Sequence, residues 1–536
     1  MSATEKTRVL LLSMPDTFMG FNLAAKLPNL GLVSIAANGD PEESVIRVAD
    51  LILRQNRVIK SLRNLMDRFE PEIVGLNVMT FQWHTARRIT KWIKEEYNSD
   101  ITIVLGGYHP TTSAEEIGTN NPDARYAEAD EYKKLTSCPW CDFIVRGEGE
   151  VIFREFIHAY RTDQQYELIK GLSWRDSDGI MHHNERAQCL DLAQIKLPDR
   201  NARLIKKTYY ITGKQAGAVE TSRGCTNACK FCSIRQMYGR NAGIRYYPLE
   251  RVMKDIHACV DEGARAILFI DDNITLDPER LERLCDLIIA EKNRGDLPKD
   301  LEFETQASAN GLMTRETLIP KMGKAGFGIC FFGIENVSRK NLKLYKKSIP
   351  KIQKMKTLVE RLHKYDMISF GGFILGNPSD DISDIRRNIA FARYLDLDVP
   401  AFQILTPFPK TELRAELEEK GLLIEPYNYT HYHGLYANVR TEHLGPKRLQ
   451  RELMRAYYRY YHPMWLIRRL GRLGIIKKYG RYFWTIIKKY WKLALSSWLK
   501  TWQAKLAGVD QERSEDTAIE WFEDYRDSRV ERLRKQ

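Results

Sequence analysis

The chain has 536 residues, 43% of them hydrophobic and 29% charged, with a formal net charge of +13. That length exceeds what one hydrophobic core serves, so two or three domains are expected, and the balance excludes a fibrous or disordered chain. No run of about 18 apolar residues occurs and the first residues lead straight into a strand, so neither a membrane-spanning helix nor a secretory leader is expected; with the cysteine pattern, the expected compartment is a reducing cytoplasm.

In chain order, Arg8–Met14 is an apolar run of buried-strand length, and Val45–Leu51, Ile73–Val78 and Ile101–Leu105 repeat it. Helix-like stretches, Ile59–Phe69 and His84–Tyr97, lie between them. Strands alternating with helices of this length predict a doubly wound, Rossmann-like parallel sheet over residues 1–165, with ligands at the carboxyl ends of its strands. The loops there carry Gly106-Gly107-Tyr108-His109-Pro110 and Arg146-Gly147-Glu148-Gly149-Glu150. A polar insertion, Asn121–Ser137, ends in Cys138-Pro139-Trp140-Cys141. Such a pair is half of a metal site or a redox dithiol, but no second CxxC pair accompanies it, and a structural role is expected. Residues 166–210 are expected to link two domains, with a hairpin over Gly171–His183 turning at Asp178-Gly179.

Glu220-Thr-Ser-Arg-Gly-Cys225-Thr-Asn-Ala-Cys229-Lys-Phe-Cys232 gathers three of the nine cysteines into one loop at spacing CxxxCxxC. A structural zinc site closes its shell with four ligands and disulfides take cysteines in pairs, whereas an odd triad suits a four-iron four-sulfur cluster with one iron open. The remaining cysteines, Cys189, Cys259, Cys285 and Cys330, stand singly in apolar or helical contexts and read as core residues.

The spacing, with an aromatic just before the last cysteine, resembles the signature of radical S-adenosylmethionine (SAM) enzymes. The resemblance implies that Cys225, Cys229 and Cys232 hold a 4Fe-4S cluster whose open iron is chelated by SAM, that Phe231 lies near the adenine, and that an electron donor such as flavodoxin or ferredoxin reduces the cluster. Strands at Ala218–Ser222, Ala266–Asp271, Leu301–Ala307, Gly328–Glu335, Ser369–Leu375 and Ala401–Thr406 suit the family's partial (β/α)6 barrel, expected over residues 211–440, with active-site groups at the strands' carboxyl ends. By the same resemblance, Asp271 of Asp271-Asp272-Asn273 grips the methionyl ammonium, an all-donor group that needs an acceptor, and Glu335 lies near the ribose or amino group. The family's common Gly-Gly-Glu after the second strand is absent.

The first domain is similar to the cobalamin-binding domain preceding this core in many such enzymes, matching in order Leu27-Pro-Asn-Leu-Gly-Leu32, the Gly106–Pro110 loop and the Arg146–Glu150 loop. The resemblance implies that Gly106, Gly107, Gly147 and Gly149 let backbone approach a corrin. The Asp-x-His-x-x-Gly motif that supplies histidine to cobalt elsewhere is absent, and His109 is the only imidazole in the pocket-forming set.

Residues 441–536 are expected to be helical and basic, with Tyr457-Tyr-Arg-Tyr-Tyr461 and Tyr482-Phe-Trp484 among lysines and arginines. Aromatic and apolar residues opposite a basic face suit either peripheral contact with an anionic membrane or a cap packed on the barrel; no nucleic-acid motif accompanies the charge. The whole pattern, including Tyr238-Gly239-Arg240, resembles hopanoid C-3 methylases and anaerobic magnesium-protoporphyrin monomethyl ester cyclases. The resemblance implies a cobalamin-dependent enzyme that functionalises, by C-methylation in the first reading, an unactivated carbon of a hydrophobic small molecule such as a membrane lipid. Oxidative cyclisation of a tetrapyrrole ester is the alternative, and a non-catalytic cobalamin or redox sensor is the other class.

Overall fold

The computed structural model describes residues 5–16, 25–55, 57–118, 135–239 and 242–461. The first apolar run forms β1 (Thr7–Ser13), which is buried along nearly its whole length because it lies at the middle of a sheet covered on both faces. β2 (Ala25–Lys26) leaves for a second sheet, and β3 (Ser44–Asp50) and β4 (Ile73–Asn77) flank β1 in parallel register. β5 (Thr102–Gly106) and β6 (Phe143–Val145) extend that parallel sheet, whose order 3-1-4-5-6 places the glycine loops together past the carboxyl ends.

The hairpin expected to link two domains instead belongs to this sheet. Its arms, β7 (Leu172–Arg175) and β8 (Met181–His183), add antiparallel to β6 and complete seven strands. The free edge of the short β6 needed a partner, and the nearest following strand supplied it.

The second sheet runs β9 (Tyr210–Ile211), β10 (Lys214–Val219), β13 (Ala266–Phe269), β14 (Glu302–Ser308), β15 (Phe327–Glu335), β16 (Ile368–Leu375) and β17 (Val399–Ile404), with β2 at its far edge. From β10 onward its strands are parallel neighbours in chain order, the topology of an open half-barrel. β11 (Ser222–Arg223) and β12 (Arg245–Tyr246) form a separate two-stranded ribbon that closes the base of the cysteine loop. Sequence and structure agree on the six barrel strands to within four residues at each end.

The two sheets share a core. One hydrophobic cluster joins Leu76, Ile103 and Leu105 of the first sheet to Ala216, Ala266, Tyr429 and Tyr432 of the second unit. The helix Pro446–Tyr460 packs on the barrel through Leu449, Leu453 and Ala456, and its Tyr457 and Tyr460 hydroxyls donate to the carbonyls of Phe402 and Leu397. The start of the basic C-terminal region is thus a packed cap; the remainder of the proposed membrane segment, and most of the polar insertion, lie outside the described residues. Cys138 and Cys141 are fully buried, Cys138 against the Thr90 hydroxyl at 3.4 Å and Cys141 donating to the Phe143 carbonyl at 3.1 Å, and burial pushes both thiols up. Among the described residues no helix is long and apolar enough to cross a membrane.

Candidate functional site

The cysteine loop begins where β10 ends, and its entry turn dictates a glycine. Gly224 has φ +92°, and a Cβ there would stand 2.3 Å from the Gly243 carbonyl oxygen, so the loop's two ends meet only without a side chain. Two carboxyl groups past the end of β13 face this loop. Asp271 Oδ1 accepts from the Thr221 and Ser222 hydroxyls at 2.6 and 2.5 Å, and Oδ2 accepts from the Thr221 amide at 3.1 Å. Asp272 accepts from the Gly224 amide at 3.1 Å; burial pushes its carboxyl up to about 6. Asn273 caps the next turn through Thr275.

Asp271, which the resemblance places at the methionyl ammonium, is engaged with the protein here. Both of its oxygens already hold donors and only 1% of the residue is exposed, so it braces the segment leading into Cys225. Glu335 fares differently. It ends β15 at a register shift, with φ 64°, and its carboxylate lies 3.2 Å from Lys347 Nζ. Burial raises the Glu335 carboxyl and Lys347 opposes that rise; Lys347 in turn carries its charge beside Cys229 and Cys225. Non-glycine backbone at positive φ is uncommon, and here it turns the Glu335 side chain toward the loop.

Phe231 packs edge-on against Tyr345, ring centroids 5.1 Å apart, and the Lys230 amide donates to the Tyr345 carbonyl. Burial raises all three thiols, Cys232 to about 12, so deprotonating them takes a strongly bound cation. Each thiolate of a four-iron cluster binds its own iron, so the three sulfurs need not converge on one point. Among the described residues no group of three His, Cys, Asp or Glu side chains is placed to hold a single ion. A glycine-entered loop bearing three thiols, with a cation beside two of them, fits a cluster better than a mononuclear metal.

The four sequence-predicted glycines line one cavity. Gly106, Gly107, Gly147 and Gly149 form its wall from the first sheet, and Glu220, Met237 and Tyr238 of the barrel face them. A Cβ on Gly106 would make only an ordinary contact, 3.8 Å from the Val145 carbonyl, so this cavity wall tolerates a side chain sterically. Gly107, at φ +94°, makes the turn ahead of Tyr108, whose hydroxyl burial, then the charges of Asp272, Cys232 and Glu220, push well up.

His109 points away from the cavity's glycine wall. It is fully buried, its ring 4.7 Å from Trp83 and 4.6 Å from Tyr429, with neither nitrogen hydrogen-bonded. Burial, then the charge of Arg414, push it down to about 3. A group whose folded value is depressed keeps its stability above the unfolded value of 6.5 and loses it as pH falls toward 3. His109→Phe is expected to lessen the fall of Tm between about pH 6 and pH 4, a difference of up to about 1.4 kcal/mol per pH unit. Parallel Tm profiles for the two proteins contradict this assignment.

Arg223, Glu148 and Glu150, which the sequence did not single out, line the cavity next to the cysteine loop: Arg223 donates to Glu148 at 2.9 Å, Glu150 at 2.6 Å and Glu220 at 2.8 Å.

Two domain models match the chain: the B12 binding domain over residues 17–131 and the Radical SAM superfamily over residues 219–392. The chain therefore carries a B12-binding domain followed by a radical SAM domain. It is an enzyme whose cofactors are a 4Fe-4S cluster, SAM and cobalamin. An uncharacterized methyltransferase of Pyrococcus horikoshii is 27% identical over 85% of this chain and 93% of its own length. The anaerobic magnesium-protoporphyrin IX monomethyl ester cyclase of Cereibacter sphaeroides is 24% identical, covering 81% of this chain and 69% of that one. Among solved structures, the radical SAM methyltransferase TsrM from Kitasatospora setae superposes with a TM-score of 0.62 at 17% identity, over 78% of each chain, a likeness of fold.

Proposed function

We propose that this enzyme functionalises an unactivated carbon of a hydrophobic small molecule, such as a membrane lipid, and that the outcome is C-methylation. The observation that carries this reading is the single cavity bordered on one side by the glycine loops of the B12-binding domain and on the other by Tyr238 and Glu220 of the cysteine-loop region. Bound there, cobalamin would supply a methyl group, and SAM at the cluster would supply the means of hydrogen abstraction, with an external donor such as flavodoxin or ferredoxin providing the electron. The chain's own residues orient these groups and exclude water. Gly106, Gly107, Gly147 and Gly149 accept the corrin, and Phe231 borders the adenine.

Glu335 and Lys347 take the two ends of the methionyl group, the carboxylate accepting from its ammonium and the lysine donating to its carboxylate. Lys347→Ala is expected to raise the SAM concentration for half-maximal 5′-deoxyadenosine formation roughly tenfold, since a charged hydrogen bond is worth about 1.5–3 kcal/mol. An unchanged value contradicts that role. Oxidative cyclisation of a tetrapyrrole ester stands as a second reading, favoured by the 24% identity to the cyclase. Anaerobic turnover with methyl-deuterated SAM, offered a lipid extract or the tetrapyrrole ester, separates them by mass spectrometry. Deuterated methyl in the product supports methylation; oxidation of the ester without label supports cyclisation.

A further inference from the structure

The base of the cysteine loop sets two arginines side by side. β11 and β12 pair with Arg223 directly opposite Arg245, and like charges facing each other across a two-stranded ribbon repel. Glu148, from the other domain, lies between them. One of its oxygens accepts from Arg223 Nη1 at 2.9 Å and the other from Arg245 Nη1 at 2.7 Å. Arg223 reaches on to Glu150 and Glu220, and Glu150 is held from behind by the Ser34 hydroxyl at 2.8 Å. The Leu190 amide also donates to Glu148, at 2.8 Å. Arg223, Glu148 and Glu150 are buried.

The placement of this cluster is more telling than its strength. Arg223 stands two residues before Cys225, and Arg223, Glu148 and Glu150 themselves line the cavity beside Gly149. Breaking one partner of a buried ion pair is costly, yet replacing the whole pair by apolar groups of the same volume is often neutral. The two sheets already share an apolar core through Leu105, Ala216 and Ala266. What a guanidinium fork adds to such an interface is direction, because its donors are rigid and their acceptors must lie along fixed lines.

We propose that the Arg223–Glu148–Arg245 clasp sets the separation and orientation of the two cofactor sites, with Arg223 as its positioning residue. The inference rests on the reading that cobalamin occupies the glycine-lined cavity and the cluster occupies the cysteine loop. It assigns to the Arg146–Glu150 loop a second task besides bordering the corrin: fastening the cysteine loop to the domain that carries it.

The test uses full-length protein reconstituted with iron, sulfide and cobalamin, then reduced with dithionite, so that cob(II)alamin and the reduced cluster each carry an unpaired electron. Their magnetic coupling, read from the splitting of the cob(II)alamin electron paramagnetic resonance signal, falls steeply with separation. Arg223→Met combined with Glu148→Gln removes one charge of each sign, and Arg223→Lys keeps the charge without the fork. With iron and cobalt contents equal to the parent's, the coupling is expected to fall or smear by roughly twofold or more in the double variant, and less in Arg223→Lys, because the approach is no longer held along fixed lines. A coupling identical to the parent's in both variants overturns the clasp while leaving the cofactor reading intact. Loss of either metal from both variants overturns it in favour of a purely structural ion cluster, and a parent protein that takes up no cobalt overturns the cofactor reading and the clasp together.

Discussion

Replacing any one of Cys225, Cys229 and Cys232 by alanine is expected to abolish the iron-sulfur absorbance of the reconstituted protein and to reduce 5′-deoxyadenosine formation to background. Three thiols in a loop are the fewest that leave a four-iron cluster one open iron, so a lost thiolate strips a second iron of its protein ligand. The fold itself should survive. Cys225 and Cys232 are only partly buried, and the loop is held independently of its thiols by Asp271, Asp272 and the β11–β12 ribbon. Far-ultraviolet circular dichroism separates the two effects: an unchanged spectrum with no iron bound is the expected outcome. A normal cluster spectrum and activity in the triple alanine variant would falsify the assignment.

Gly106→Trp is expected to weaken cobalamin binding at least roughly tenfold, with the cysteine loop still able to take up iron. A Cβ there makes only an ordinary 3.8 Å contact with the Val145 carbonyl, so an indole on this cavity-lining residue displaces no protein atom at its Cβ. Overpacking costs about 1–3 kcal/mol, and 1.4 kcal/mol is tenfold in affinity. Gly107 serves the comparison poorly, since a Cβ there would stand 2.9 Å from the Val78 amide nitrogen at a positive φ and disturb the turn itself. Equal cobalamin affinity in the parent and in Gly106→Trp would move the corrin away from this wall.

Much of this architecture was legible before any coordinates. The parallel strands are continuous apolar runs because both faces are covered, and the polar residues at their carboxyl ends stand out against that background. The cysteine spacing and the order of the glycine loops carried the site's position. What was missed follows from the range of the interactions. The β7–β8 hairpin reads locally as a hairpin, but the edge it joins is a tertiary fact. Lys347 sits in a run with Lys343 and Lys346 that reads as solvated charge, and only the fold turns it onto Glu335. Arg223 and Glu148 are 75 residues apart, and nothing in either segment says that they meet. The bracing of Thr221 and Ser222 by Asp271 was not legible either, because a carboxylate that braces a loop and one that grips an ammonium have the same local sequence.

The cysteine loop and the glycine-lined cavity together are expected to make a working radical SAM centre. The most direct measurement is anaerobic incubation of the reconstituted, cobalamin-loaded and reduced protein with SAM, followed by quantitation of 5′-deoxyadenosine. Formation that depends on all three loop cysteines is the result predicted here. Protein with full iron and cobalt content that produces no 5′-deoxyadenosine above the cysteine variants contradicts it.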